Sequence, residues 1–426
     1  MSRSEARGPV SRWRPSGAPL APLAAVIVLV AAALFSLAFA FGDVGLLQLG
    51  QAGGGGGNGG GAPAHTPNPS VVYTAPPVAR PHYLGTILFV NGGNIWSLSG
   101  TDLVRLTSGG SDTSPTWSPD GRWIYYVQMR SKLAGVPYLG RNAGYDLIYP
   151  VLMRMNADGT GQTVIKDGLM ALSGGHYWFA WYLQPDVSPN GKTIALVTNA
   201  ASPFTGDVVL GLLPAAGGKA VEPNLPDDRF LGHTDPAWSP DGRTIAFTYQ
   251  SRDPGNPALA ASRIALYTVA SGKFRFLTGA GYVRPSWSPD GRWIAAEALD
   301  GGRGRDVVIL DAATGHEVAR LTNDGHSFAP TWSPDGSWIA YLNASGATID
   351  LELAQLGPGN PFSVVKTWPV TADSQLDGTS RPAWFVPAAE LPATPTTPAA
   401  TPRPTPGPSP TPTAPGPVGG SPSPTP

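Results

Sequence analysis

One phrase recurs through the middle of this sequence: SPTWSPDGRWIYYV from Ser114, QPDVSPNGKTIALV from Gln184, DPAWSPDGRTIAFT from Asp235, RPSWSPDGRWIAAE from Arg284 and APTWSPDGSWIAYL from Ala329. A shortened sixth copy, RPAWFV, begins at Arg381. The equivalent positions Trp117, Val187, Trp238, Trp287, Trp332 and Trp384 are 70, 51, 49, 45 and 52 residues apart. A unit of that size cannot bury a core alone, so the copies must stack on one another. The first interval is long because residues from Gln128 to Pro150 have no counterpart in the other copies.

Each copy reads as a β-hairpin. Pro-x-Trp enters as a strand, Ser-Pro-Asp-Gly turns, and an apolar run such as Trp123-Ile124-Tyr125-Tyr126-Val127 leaves. Proline sets φ at the second turn position, aspartate bonds locally to the backbone, and glycine accepts the positive φ that follows. Asn190 replaces the aspartate in the second copy and tolerates the same geometry. Two further short strands follow, as in RIALYTV with FRFLT, DVVILDA with EVARLT, and LMRMNAD with TVIKD. Four strands at this spacing make a propeller blade. The first unit has GTILFV, NIWSLS and LVRLT but no leading Pro-x-Trp strand, whereas Arg381 to Val386 supplies such a strand with nothing after it. The two incomplete units predict an all-β, six-bladed β-propeller over residues 83–387, closed by the C-terminal strand joining the first blade. Closure of that kind leaves no open edge at the chain ends.

The Trp-Ser-Pro-Asp-Gly phrase closely resembles the WD40-like repeat (PD40) of the TolB family's β-propeller, and the resemblance covers Tyr83 to Pro387. It implies the fold strongly and the function weakly, because the same repeat occurs in binding propellers, beside serine peptidases and in uronate lyases. TolB carries an additional α/β domain before its propeller, where this chain offers an apolar segment and a linker. The general implication is an envelope protein that docks other proteins.

From Leu20 to Phe41 the chain carries no charge for 22 residues. A helix of that length reaches roughly 33 Å, enough to cross a bilayer. Arg3, Arg7, Arg12 and Arg14 precede it and Asp43 is the first charge after it, so the positive-inside rule places residues 1–16 in the cytoplasm. A single N-terminal transmembrane helix over residues 17–42, in a cell membrane, is therefore expected, with the rest of the chain extracytoplasmic. The alternative is a cleaved signal peptide at Ala38-Phe39-Ala40, but the apolar run is longer than a signal core and lacks a polar region before the cut. Residues 43–82 are rich in Gly and Pro and read as a flexible tether; residues 388–426, dominated by Pro, Thr, Ser and Ala, read as a disordered, extended tail.

Composition narrows the function. Lys+Arg 28 against Asp+Glu 29 leaves a charge of −1, so no field recruits nucleic acid. With no cysteine, thiol nucleophiles and disulfides are excluded. No cofactor or metal is implied, and no catalytic constellation is recognised: Gly325-His326-Ser327-Phe328-Ala329 only approximates a nucleophile elbow and leads into a strand. The residues before the repeat prolines include Gln184, Asp235, Arg284 and Arg381, which six converging blades would bring to the funnel mouth, where the two arginines could hold a carboxylate. His176, His233 and His326 sit at similar offsets; three histidines sharing a metal is the enzyme alternative, acting on a saccharide or small molecule. The repeated tryptophans read as packing between blades. Gln128 to Pro150 and the aromatic stretch His176 to Gln184 have no repeat counterpart and are the leading candidates for a partner surface. The expected reading is a monomeric binding module whose partner is an extracytoplasmic protein or envelope component.

Overall fold

A computed structural model describes residues 81–392 apart from 139–140, 205–206, 227–231, 253–260, 300–303 and 358–361. The expected cytoplasmic end and anchor, and almost all of the linker and tail, lie outside the described residues.

Blade one holds β1 (Thr86–Asn91), β2 (Asn94–Ser99) and β3 (Asp102–Arg105); blade two holds β4 (Asp112–Trp117), β5 (Trp123–Tyr138), β6 (Arg141–Asn156) and β7 (Thr163–Asp167). A two-stranded arm, β8 (Leu169–Ala171) and β9 (Tyr177–Phe179), leads to blade three, β10 (Tyr182–Val187), β11 (Thr193–Thr198) and β12 (Val209–Pro214). Blade four is β13 (His233–Trp238), β14 (Thr244–Tyr249), β15 (Arg263–Thr268) and β16 (Lys273–Phe276). Blade five is β17 (Tyr282–Trp287), β18 (Trp293–Leu299), β19 (Arg305–Asp311) and β20 (Glu317–Arg320). Blade six is β21 (Ser327–Trp332), β22 (Trp338–Asn343), β23 (Asp350–Leu356) and β24 (Val364–Pro369). Last, β25 (Ala383–Phe385) returns to pair with β1 through Thr86↔Phe385, Ile87↔Trp384 and Leu88↔Ala383. Six antiparallel sheets therefore close into a propeller, with the ends fastened as the incomplete repeats predict.

The turn chemistry follows the sequence and adds a part. In blade two the Ser118 hydroxyl donates to Asp120 Oδ1 at 2.6 Å and accepts the Trp123 N–H at 2.9 Å, while Gly121 takes φ 69°. The same pair of bonds recurs at Ser188, Ser239, Ser288 and Ser333. Each turn glycine from Gly191 onward packs on the turn proline of the preceding blade; at Gly121, where no such proline exists, the Phe385 ring takes its place.

The core is divided into layers between blades rather than gathered at a centre. Alternate residues of each strand point to opposite neighbours, and six apolar clusters result, one at each junction. The repeated isoleucines Ile124, Ile194, Ile245, Ile294 and Ile339 are fully buried in them. Each contributes about 1.5–3 kcal/mol of transfer free energy. The tryptophans lie in the same layers: Trp293 and Trp332 share one cluster, and Trp287 Nε1 donates to Ala237 O of the previous blade at 3.1 Å.

Blade three departs from the four-strand pattern. Among the described residues its outer strand is reduced to one bridge, Leu212↔Val221. Pro214 and Pro223 bracket that segment and lack the N–H a longer ladder would need.

Candidate functional site

Antiparallel order puts every Ser-Pro-Asp-Gly turn on one face. The connections from second to third strands, and those between blades, lie on the other, which we call the connection face. The innermost strands β4, β10, β13, β17, β21 and β25 surround a central channel.

Five of these strands are bulged, and in each the residue before the repeat proline takes a left-handed conformation: Ser114 (φ 51°), Gln184 (φ 50°), Asp235 (φ 52°), Arg284 (φ 52°) and Ala329 (φ 53°). Such a conformation costs on the order of 1–3 kcal/mol per residue, so the surroundings must enforce it. They do so by bonds between blades. Gln184 Nε2 donates to Asp235 Oδ1 and Gln184 Oε1 accepts the Asp235 N–H, both at 2.9 Å. The Thr248 hydroxyl accepts the Arg284 N–H at 2.9 Å and donates to Asp235 Oδ2 at 3.3 Å. On the closing side, Ser380 Oγ accepts the Ser114 N–H at 2.9 Å.

The two arginines are occupied within the protein. Arg284, 3% exposed, lies 3.7 Å from Glu297 Oε2 and 3.9 Å from Asp235 Oδ1 and donates to Gly378 O at 3.2 Å. Arg305 flanks the other side of Glu297 at 3.6 Å, and both guanidiniums stand over the Phe328 ring. Arg381 spans the channel from blade one, donating to Pro285 O of blade five at 2.6 Å and to Pro236 O of the opposite blade four at 3.4 Å. Below it, Asp186 accepts the Trp238 N–H at 2.7 Å; desolvation pushes its carboxyl up, against the pull of Arg381 and of that N–H. The three arginines and three carboxylates thus balance in formal charge: Arg284, Arg305 and Glu297 gather against Phe328 of blade six, and Arg381 forms a crossbar through the channel beside Asp186.

The three histidines are not brought together. His233 is fully buried between blades three and four: its Nδ1 accepts the Leu210 N–H at 3.1 Å, its Nε2 donates to Pro226 O at 3.0 Å, and its ring packs on Phe247 and Tyr249. It caps the edge that the reduced outer strand of blade three leaves open. His176 lies beside the turn of the β8–β9 arm, and the exposed His326 lies just before β21. Among the described residues, no three His, Asp or Glu side chains gather as a metal-holding group.

The segment from Gln128 to Pro150 continues the middle strands of blade two beyond the sheet. β5 and β6 are 16 residues each and stay paired from Trp123↔Asn156 to Tyr138↔Arg141, whereas β4 pairs with β5 only as far as Gln128 and β7 with β6 only as far as Val151. The hairpin therefore projects from the connection face. One side of it is covered: Ala134, Leu147 and Tyr149 are buried with Phe179 of the β8–β9 arm, and Lys132 Nζ stands 4.4 Å from the Tyr177 ring centroid. The other side is bare, with Ser131, Leu133, Asp146 and Ile148 exposed, Leu133 at 73% and Ile148 at 52%. Trp178, on the reverse of the arm, stacks on the exposed Phe204 and donates to Pro203 O at 2.8 Å.

No family model and no curated protein matches this chain. Among solved structures, TolB from Acinetobacter baumannii matches with a TM-score of 0.50 at 20% identity, over 70% of this chain and 66% of that one. The fold is a TolB-like propeller. A putative TolB from Agrobacterium tumefaciens matches with a TM-score of 0.45 at 19% identity, over 71% and 94% of the two chains. An oligogalacturonate lyase in complex with manganese follows, with a TM-score of 0.38 at 14% identity, over 62% and 83%. The chain spans about two thirds of the length of the Acinetobacter baumannii protein.

Within this TolB-like propeller, repeat position placed Gln184, Asp235, Arg284 and Arg381 around the channel but did not pick out Asp186, Glu297 or Arg305. A signal for two of them existed. Asp186 fills a slot held by Thr116, Ala237, Ser286, Thr331 and Ala383 in the other copies, and Glu297 one held by Val127, Val197, Thr248 and Leu342.

Proposed function

We propose that this chain is a protein-binding propeller, held outside the cytoplasm on one membrane helix, that meets its partner on the connection face. The observation that carries the reading is the projecting β5–β6 hairpin, braced by β8–β9 on one side and bare on the other. Leu133 and Ile148 remain in water there although a covered side lies one residue away in each strand. Exposed apolar pairs on a braced hairpin are what a docking surface requires, since little ordering entropy is lost on binding. The channel supports the same reading by contrast, for Arg284 and Arg381 already have partners within the protein, which a ligand entering there would have to displace. TolB-like architecture is compatible with a docking role, and the uncharged Leu20–Phe41 segment supports the anchor.

The test is crosslinked affinity capture from intact membranes, comparing the full chain with the pair Leu133→Ser and Ile148→Ser. The reading expects a defined protein that the native chain captures and the pair loses by tenfold or more. Equal capture by both would remove the hairpin from the interface.

A further inference from the structure

The partner's chemistry at this hairpin is written in its backbone. In an antiparallel pair, residues alternate between those whose N–H and C=O face the partner strand and those whose groups face away. Two contacts fix the phase here. Pro150 O accepts the Gly168 N–H across the outer edge of β6, and the Met129 N–H donates to Ser111 O across the inner edge of β5. Met129 and Pro150 are directly paired, so the outward-facing set continues through Ser131↔Ile148 and Leu133↔Asp146. β7 has already ended, and the chain has turned away at Gly168 toward β8. No described residue bonds across the outer edge to Ile148 or Asp146. The same residues carry the bare side, whose described members include one charge, Asp146.

We infer that the outer edge of β6 at Asp146 and Ile148 takes an added β-strand, an extended segment of the partner that continues blade two where β7 stops. This rests on the hairpin being the recognition element. The incoming strand runs antiparallel to β6, bonds to the outward groups of Ile148 and Asp146, and sets an apolar side chain against Ile148, extending the apolar surface that Leu133 begins on β5. A basic residue two positions from an apolar one meets Asp146, which selects against acidic strands.

Proline separates this mode from simple apolar contact. The Ile148 N–H faces away from β5, so Ile148→Pro deletes the outward donor while sparing the bonds within the hairpin, as native Pro150 does at the same edge. Ser131→Pro makes the equivalent change on the opposite edge. A random dodecapeptide library displayed on phage, selected on the full-length chain, supplies the probes; circular dichroism and melting temperature confirm that both variants fold. Expected are selected peptides with apolar residues at alternate positions and a Lys or Arg among them. Their affinity should fall at least tenfold on Ile148→Pro and less than twofold on Ser131→Pro, and bound peptide should slow amide exchange at Ile148. If no peptide is selected, if Ile148→Pro leaves affinity intact, or if Ser131→Pro abolishes it instead, the assignment is overturned. Should Ile148→Pro be unfolded, exchange at Ile148 in the native chain decides alone: no slowing overturns the inference. Loss of partner capture on Leu133→Ser and Ile148→Ser, with capture unchanged on a folded Ile148→Pro, would leave the hairpin reading standing and remove only strand addition.

Discussion

The serine of each Ser-Pro-Asp-Gly turn holds its aspartate and the next strand's first N–H at once, so one hydroxyl sets both the turn and the start of the second strand. Replacing Ser118 by Ala should cost about 1 kcal/mol, seen as a lower urea midpoint at unchanged slope. The Ser118 hydroxyl, with the Arg122 side chain and N–H, holds the Asp120 carboxyl down at about 2, against the opposing pull of desolvation. The Ser239 hydroxyl lowers Asp241 in the same direction. A lowered carboxyl binds its proton more readily in the unfolded chain, so the stability it contributes is full above about pH 4 and is lost as pH falls toward 2. The urea midpoint should drop across that window, and Asp120→Asn should drop less. Equal slopes would separate the turn from the acid response. Proline, aspartate and glycine announced this turn in the sequence because each has one backbone use there. The serine was silent, since its role appears only when the two strands are in register. Asp186 and Glu297 were legible only by reading the copies against one another for a charged residue among small or apolar ones.

Closure depends on β25, a strand of 3 residues. Trp384 holds it: the ring is 8% exposed, its Nε1 donates to Leu84 O at 2.8 Å, and its edge meets Tyr83. Trp384→Ala should cost about 3–5 kcal/mol. Amide exchange at Thr86, Ile87 and Leu88 should accelerate more than in blades three and four; uniform acceleration would mean that the closing strand is not a separate weak point. The sequence foretold this joint because two incomplete units complemented each other. It said nothing of the β8–β9 arm as an element, although Tyr177 and Phe179 against Trp178 have the period of a strand. Three residues are too few to stand out from an aromatic run. The reduced outer strand of blade three has the same origin: His233 caps the edge from the next blade, and no local pattern foretells a cap supplied from 23 residues away.

Across the whole molecule, six inter-blade layers make the disc rigid, and Arg381 ties opposite sides of it through the channel. Arg381→Met removes two bonds to backbone carbonyls and the cation beside Asp186. It should lower stability by about 2 kcal/mol in urea unfolding while leaving the hairpin and its binding unchanged. Loss of binding without loss of stability would instead make the channel the site. The division of labour that follows is a channel bridged by Arg381 for integrity and a projecting hairpin for contact. A photoreactive amino acid placed at Leu133, and separately at Arg243 in a turn of the opposite face, tests it directly in intact membranes. The account predicts one partner band from position 133 and none from 243. A band from 243 alone would put the partner on the turn face and contradict it.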